Sequence, residues 1–287
     1  LKRCRVNDFH MIIALVMFIG SLPVLHWSSV ARVDLLGLAL AVIALERFVK
    51  NWSDTSGDEQ PKLSVAAVIL STLAFFSKQQ YVVFMVATVL FALYKGQKRL
   101  ALQYLAAYTL LCCAIAALLQ ALTGGYWAHL SYAAGLPWEW ETIKLFLLPF
   151  LLDAKTLAAL SIIAAATFWH KQASNNLQTK SQSIEALPAI LLLCSILPAL
   201  YTMGLRGAYH NHLLCCEFAL FWLGATKLEK LPAKFATAAI FASAVSLAPL
   251  IGFTAEMAFC HGLRADTNET ISMLSQSCTD KPLLLTE

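Results

Sequence analysis

The chain has 287 residues, of which 59% are hydrophobic and 13% are charged, and its mean hydropathy is +0.66. Soluble domains carry about 25% charged residues, and a water-soluble fold of this size cannot hide so much apolar surface. The net charge of +4 is scattered, without a basic stripe of interleaved aromatic residues, which argues against a nucleic-acid partner. The apolar runs are long and do not alternate, so they predict transmembrane α-helices and not barrel strands.

Apolar runs bounded by polar residues predict an all-α, polytopic transmembrane bundle of about nine spans, within a range of eight to ten. The bundle forms one domain over residues 1–255, followed by a short non-cytoplasmic tail at 256–287. The predicted spans are residues 9–26, 33–49, 63–77, 80–94, 100–122, 155–169, 186–204, 212–226 and 235–255.

The distribution of basic residues predicts a cytoplasmic N-terminus. With that orientation, about two-thirds of the 21 Lys and Arg residues fall in the inner loops, as the positive-inside rule requires. Residues 123–142 then form an outer loop rich in aromatic residues, which we expect to be ordered at the headgroup level. Its titratable residues, His129, Glu139 and Glu141, either include a general base or accompany a membrane anchor. Residues 143–152 are predicted to be an interfacial helix.

Charged residues near the ends of membrane helices mark places where water, a partner or a substrate meets the protein. A charge at the bilayer centre costs about 2.5–3.5 kcal/mol on insertion scales, so such residues need a reason to persist. Arg32 and Asp34 open the second predicted span. Asp34 either caps that helix and interacts with its dipole, or stands beside an Arg32 that reaches toward an anionic headgroup or phosphate.

A polar break, Ser77-Lys78-Gln79-Gln80-Tyr81, interrupts an apolar stretch that is too long for one span. The break predicts a tight hairpin with Lys78 at its tip. Lys78 either snorkels to the membrane interface or, together with the two amides, binds phosphate oxygens.

Residues 206–212, with the sequence RGAYHNH, connect two later spans. They form either an ordinary loop or part of a polar site. Two histidines one residue apart are a weak metal signal, so we predict no cofactor, with a divalent metal left open. Arg32, Lys78 and Arg206 are predicted to be cations at one membrane surface, which suits a phosphate-bearing lipid.

The order of these segments resembles the GT-C superfamily of polytopic glycosyltransferases, most nearly its bacterial family-39 or RgtA/B/C/D-like branch, which is related to protein mannosyltransferases. The resemblance covers most of residues 9–255. It rests on ARVDLLGLALAVIAL at 31–45, LAFFSKQQYVVF at 73–84, KGQKR at 95–99, TGGYWAHL at 123–130 and RGAYHNHLL at 206–214.

The resemblance implies a hexosyltransferase of the bacterial plasma (inner) membrane. Such an enzyme transfers a sugar from a polyprenyl-phosphate-linked donor to an acceptor on the non-cytoplasmic face, and its partners are that donor and membrane lipids. Such enzymes use an acidic residue in the first non-cytoplasmic loop as catalytic base, and that loop would precede Leu1. We therefore expect an N-terminally truncated chain whose catalytic residue is not assigned.

The resemblance also implies roles for the polar residues of the three segments. Lys78, Arg206 and Arg32 would bind the donor phosphate. The donor cavity would be lined by Asp34, Gln79, Gln80, Tyr209, His210, Asn211 and His212. The alternatives are a transporter or lipid flippase without glycosyl transfer, in which the same cations line a path, and a structural subunit of a membrane complex.

Overall fold

The computed structural model describes residues 8–19, 33–54, 60–173, 184–205, 210–228 and 231. Within these ranges every regular element is a helix, apart from an isolated bridge between Trp138 and Leu205. The all-α prediction is therefore confirmed for the described part of the chain.

Ten α-helices and two 3₁₀ turns make up these ranges. Each of the first eight predicted spans overlaps a helix, although residues 20–26 of the first span lie outside the described residues. The ninth, 235–255, and the tail at 256–287 also lie outside the described residues. The helices are α1 Asp8–Ile19, α2 Val33–Ser53, α3 Val65–Ser77, α4 Val82–Tyr94, α5 Lys98–Thr123, α6 Tyr126–Ala134, α7 Trp140–Leu152, α8 Ala154–Ala173, α9 Ala186–Met203 and α10 Leu214–Leu228, and the 3₁₀ turns are Gln79–Tyr81 and His210–Leu213.

The segment 123–142, which was predicted to be an outer loop, contains a helix, α6, that was not predicted. The segment between Gly125 and Gly135 holds neither glycine nor proline, so nothing in it interrupts a helix. The rest of the loop is fastened to the end of α9. The Trp138 indole N–H donates to the carbonyl of Tyr201 at 3.0 Å, and the Glu139 N–H donates to the carbonyl of Gly204 at 2.7 Å.

The main core lies where α2, α3, α4, α5, α9 and α10 pack together. Aromatic rings fill the end of this core that lies near the start of α5. Phe48 contacts Phe91 and Tyr104 edge to face, with ring centroids 5.9 and 5.5 Å apart. The fully buried Tyr104 hydroxyl accepts a hydrogen bond from the Ser64 N–H at 3.0 Å. This bond holds the start of α3 against α5.

The outer surfaces of the longest helices are apolar. Leu102, Leu110 and Leu122 on α5 are 66%, 71% and 73% exposed. Among the described helices, α5 and α9 are long and apolar enough to cross a membrane, and α7 with residues Thr156–Thr167 of α8 makes a third candidate, bent by 63°. Helices α3 and α4, with 13 residues each, measure about 20 Å, which is shorter than a hydrocarbon core of about 30 Å.

Candidate functional site

The predicted polar break between the third and fourth spans is present. Helix α3 ends at Ser77 because Lys78 has an extended backbone, with φ −162° and ψ 126°. The 3₁₀ turn Gln79–Tyr81 follows, and α4 begins at Val82. The break places three consecutive polar side chains at one end of the helices, with Gln79 exposed and its two neighbours partly buried.

Lys78 forms an ion pair with Asp34, in the first turn of α2. Its Nζ atom lies 2.5 Å from Asp34 Oδ1, and the side chains of Lys78 and Asp34 are 18% and 3% exposed. Lys78 therefore points toward α2 and does not snorkel outward. In a buried pair of this kind each charge compensates the other, in a place where either charge alone is costly.

Tyr81 joins the polar break to helix α2. Its side chain is fully buried, and its hydroxyl donates to the backbone carbonyl of Asp34 at 2.5 Å. The ring lies directly on Gly37, where an added Cβ would be 2.8 Å from Tyr81 Cδ2 and closer still to Cε2. Neither residue was predicted to belong to the site, although a lone glycine in an apolar helix indicates close approach of another group.

His212 reaches the same place from the turn before α10, outside the helix that matches the eighth predicted span. Its Nδ1 atom lies 3.1 Å from Gln80 Oε1. Burial and the positive charge of Lys78 lower the pKa of His212 to about 4, against an opposing effect of Asp34. The imidazole is therefore neutral at pH 7. With Nδ1–H donating to Gln80, Nε2 carries no proton and accepts hydrogen bonds.

The depressed pKa of His212 makes stability depend on pH. Between pH 6.5 and about 4 the unfolded chain binds a proton at this histidine that the folded chain does not bind, so stability falls as the pH drops. We expect the free energy of unfolding to decrease by about 1 to 2 kcal/mol between pH 7 and pH 5. Unfolding titrations in micelles at both pH values test this. The His212→Asn variant should lack this component of the pH dependence, and an equal dependence in the variant would contradict it.

We refer to Asp34, Lys78, Gln80, Tyr81 and His212 as the Lys78 cluster. The cluster joins residues from all three segments predicted to form the site. The ion pair between Lys78 and Asp34 connects residues 44 positions apart in the sequence. The hydrogen bond between His212 and Gln80 connects residues 132 positions apart. It combines one buried ion pair, one neutral imidazole and one amide at a single end of the helices, which suits a ligand with both an anionic group and hydroxyls.

Five of the other predicted site residues are not placed in the Lys78 cluster. Arg32, Arg206 and Tyr209 lie outside the described residues. His210 and Asn211 belong by their backbone to the 3₁₀ turn that carries His212, but their side chains lie outside the described part of the structure.

The titratable residues of segment 123–142 have no described contact with the Lys78 cluster. Glu141 forms an exposed ion pair with Lys144 at 2.7 Å, and His129 is exposed. Among the described residues, no group of three His, Cys, Asp or Glu side chains is arranged to hold a metal ion.

Glu217 is a further acidic residue that the sequence analysis did not select. It lies on α10, five residues after His212, and is only 2% exposed. Its signal was present in the sequence, because an ionisable residue inside the apolar run LLCCEFALFWL is by default a candidate for function.

The sequence matches no protein-family model, no curated protein and no solved structure. Inference about function therefore depends on the chemistry of the Lys78 cluster and on the order of the sequence segments.

Proposed function

We propose that the chain is a multi-pass membrane glycosyltransferase. It transfers a sugar from a polyprenyl-phosphate-linked donor to an acceptor on the non-cytoplasmic face of a bacterial plasma membrane. One observation carries the proposal: the segments RVD, SKQQY and RGAYHNH, on which the resemblance rests, contribute Asp34, Lys78, Gln80 and His212 to a single cluster.

The membrane part of the proposal is supported by the surface of the long helices. Only 11% of the most apolar window of α5 is buried, and for α9 the fraction is 33%. In water such surfaces would cost about 25 cal/mol for each Å² exposed, whereas lipid covers them without cost. We propose about nine spans, because the shorter helices match the remaining apolar runs and tilt or bilayer thinning accommodates them.

The chemistry of the proposed reaction assigns a task to each charged member of the cluster. Asp34 holds the Lys78 ammonium in one position. That ammonium, with Arg32 and Arg206 as further proposed cations, stabilises the negative charge of the phosphate that leaves when the sugar is transferred. The neutral His212 offers Nε2 as an acceptor for a sugar hydroxyl. A carboxylate that we do not assign on this chain activates the acceptor hydroxyl.

Sugar transfer by the full-length protein in membranes tests the proposal. We expect Lys78→Ala and Arg206→Ala to lower the rate from a labelled polyprenyl-phosphate sugar by about 100-fold, as removal of a charge-stabilising group does. Lys144→Ala is the control, because Lys144 is 67% exposed and pairs with Glu141 outside the cluster. Membrane levels of all three variants are measured in parallel.

Two outcomes of this experiment would contradict the proposal in different ways. Unchanged transfer by Lys78→Ala at a normal membrane level would exclude the Lys78 cluster as the phosphate site. Absence of transfer by the wild type with several donors would exclude glycosyltransferase activity.

A transporter or flippase is the second candidate, and the bend of 63° between α7 and α8 favours it, because transporters often contain broken helices. A groove beside the bend between α7 and α8, about 280 Å³ in volume, argues against a transporter. Its lining is apolar except for Thr156 and Cys216, and it contains no charged side chain. Lipid movement across vesicle membranes without sugar transfer would favour this candidate.

A further inference from the structure

A polar cavity lies at the opposite end of α3 from the Lys78 cluster. It has a volume of about 450 Å³ and lies between the segment that precedes α3 and the first turns of α5. The lining side chains that matter for binding are Gln60, Lys62, Leu63, Arg99, Leu100 and Gln103.

The segment that carries Lys62 is held in place by hydrogen bonds on both sides. The Asn51 side-chain amide at the end of α2 donates to the Lys62 carbonyl, and the Ser64 N–H donates to the Tyr104 hydroxyl of α5. On the other wall, Arg99 and Gln103 are one helical turn apart and share a face of α5. The cavity is thus formed by fixed elements before any ligand arrives.

The cavity concentrates positive charge. Among the described residues, no carboxylate forms an ion pair with Lys62 or Arg99. Arg99 also lies in the first turn of α5, which contains no acidic residue and no side-chain cap. The positive end of the helix dipole therefore adds to the two cations.

The backbone of α5 supplies donors to the same place. The N–H groups of Lys98 and Ala101 donate to the carbonyls of Gly96 and Gln97. The N–H groups of Arg99 and Leu100, which both line the cavity, have no acceptor inside the helix. Two side-chain cations and two backbone donors on facing walls form an arrangement that binds a phosphate group.

We propose that this cavity binds the phosphate of an anionic phospholipid. Helix α5 is apolar along its length, so its first turn lies at a membrane surface, at the level of the lipid phosphates. Leu63 and Leu100 give the cavity an apolar wall suited to the glycerol and upper acyl region of a lipid. Basic residues that only set the orientation of the protein in the membrane need no particular arrangement within a loop. Here they line a cavity between two ordered segments.

Lipid binding to the purified chain in nanodiscs tests the proposal, and it does not depend on the function of the Lys78 cluster. Native mass spectrometry measures the affinity for phosphatidylglycerol, phosphatidylcholine and inorganic phosphate. The variant is Lys62→Gln with Arg99→Gln. The control is Lys50→Gln with Lys98→Gln, which removes the same charge at nearby positions that do not line the cavity. Asp58 and Glu59, which precede the cavity in the sequence, are unchanged in both.

The wild type and the control should bind phosphatidylglycerol with similar affinity and phosphatidylcholine much more weakly. The cavity variant should bind phosphatidylglycerol about 30-fold more weakly, from two cations near the surface. Equal weakening in the control would show that net charge and not the cavity binds the lipid, and would overturn the proposal. Binding of inorganic phosphate as tight as that of phosphatidylglycerol would overturn the lipid assignment and indicate a soluble anion.

Discussion

Replacing Asp34 with Asn is expected to lower the free energy of unfolding by about 3 kcal/mol. The substitution keeps the shape of the side chain but removes the charge 2.5 Å from the Lys78 ammonium. Breaking one side of a buried ion pair costs about 3–5 kcal/mol, because the remaining charge stays in a poorly solvated place. The lower end applies here, since 18% of the Lys78 side chain is exposed. Unfolding by a denaturing detergent, monitored by circular dichroism, measures the difference.

The chain contains a matched control for this prediction. Glu141 and Lys144 form an ion pair of nearly the same length, 2.7 Å, but their side chains are 81% and 67% exposed. Exposed pairs contribute about 0–1 kcal/mol, so Glu141→Gln should change stability little. If both variants lost the same small amount of unfolding free energy, the buried Asp34–Lys78 pair would stabilise the fold no more than an exposed pair does.

Removing both charges should restore most of the lost stability. Asp34→Asn combined with Lys78→Met leaves side chains of similar volume and no buried charge from this pair, and such replacements are often neutral. A double variant as unstable as Asp34→Asn alone would show that the loss comes from shape and not from charge.

Replacing Gly37 with Ala is expected to destabilise the protein by about 2 to 3 kcal/mol, near the top of the range for overpacking. In an ordinary helix the same change stabilises by about 1 kcal/mol. Here the new methyl group would collide with the Tyr81 ring and lie 3.2 Å from Ser77 Cβ. Because Tyr81 is fully buried and its hydroxyl is bonded to the Asp34 carbonyl, the ring cannot move without loss of that bond.

Gly224 provides the comparison for Gly37, since it is also a glycine inside a helix. A Cβ at Gly224 would meet its nearest neighbour, Ala159 Cβ, at 3.8 Å, which is ordinary contact. We expect Gly224→Ala to be neutral or stabilising by up to about 1 kcal/mol in the same unfolding measurement. Opposite signs for the two variants support the close approach of Tyr81, and equal effects would exclude it.

The sequence predicts the helices of this protein well because apolar composition and polar interruption both act locally. The break at Lys78 follows from the polar residues themselves, and α4 begins within two residues of the predicted position. Helix α6 was not predicted because its aromatic residues favour the membrane interface whether or not they are helical. The number of spans does not follow from composition alone, because 13-residue helices such as α3 are apolar without reaching the usual length of a span.

The contacts within the site could be predicted only in part. The sequence indicated that Asp34, Lys78 and His212 belong to one end of the helices, because positions in successive spans fix the side of the membrane. It could not show that Lys78 meets Asp34, because that contact depends on how α2 packs against α3. The same packing explains the need for glycine at position 37: a lone glycine in an apolar helix indicates a close contact, but the sequence does not show that the contact is with Tyr81.

The affinity for polyprenyl phosphate of the double variant Asp34→Asn with Lys78→Met tests the central claim most directly. This variant should fold with nearly normal stability, so a change in affinity reports on the lost cation and not on unfolding. A hydrogen bond to a charged group contributes about 1.5–3 kcal/mol, so we expect polyprenyl phosphate to bind at least about 10-fold more weakly than to the wild type. Equal affinity in the folded double variant would contradict the assignment of the Lys78 cluster to a lipid phosphate.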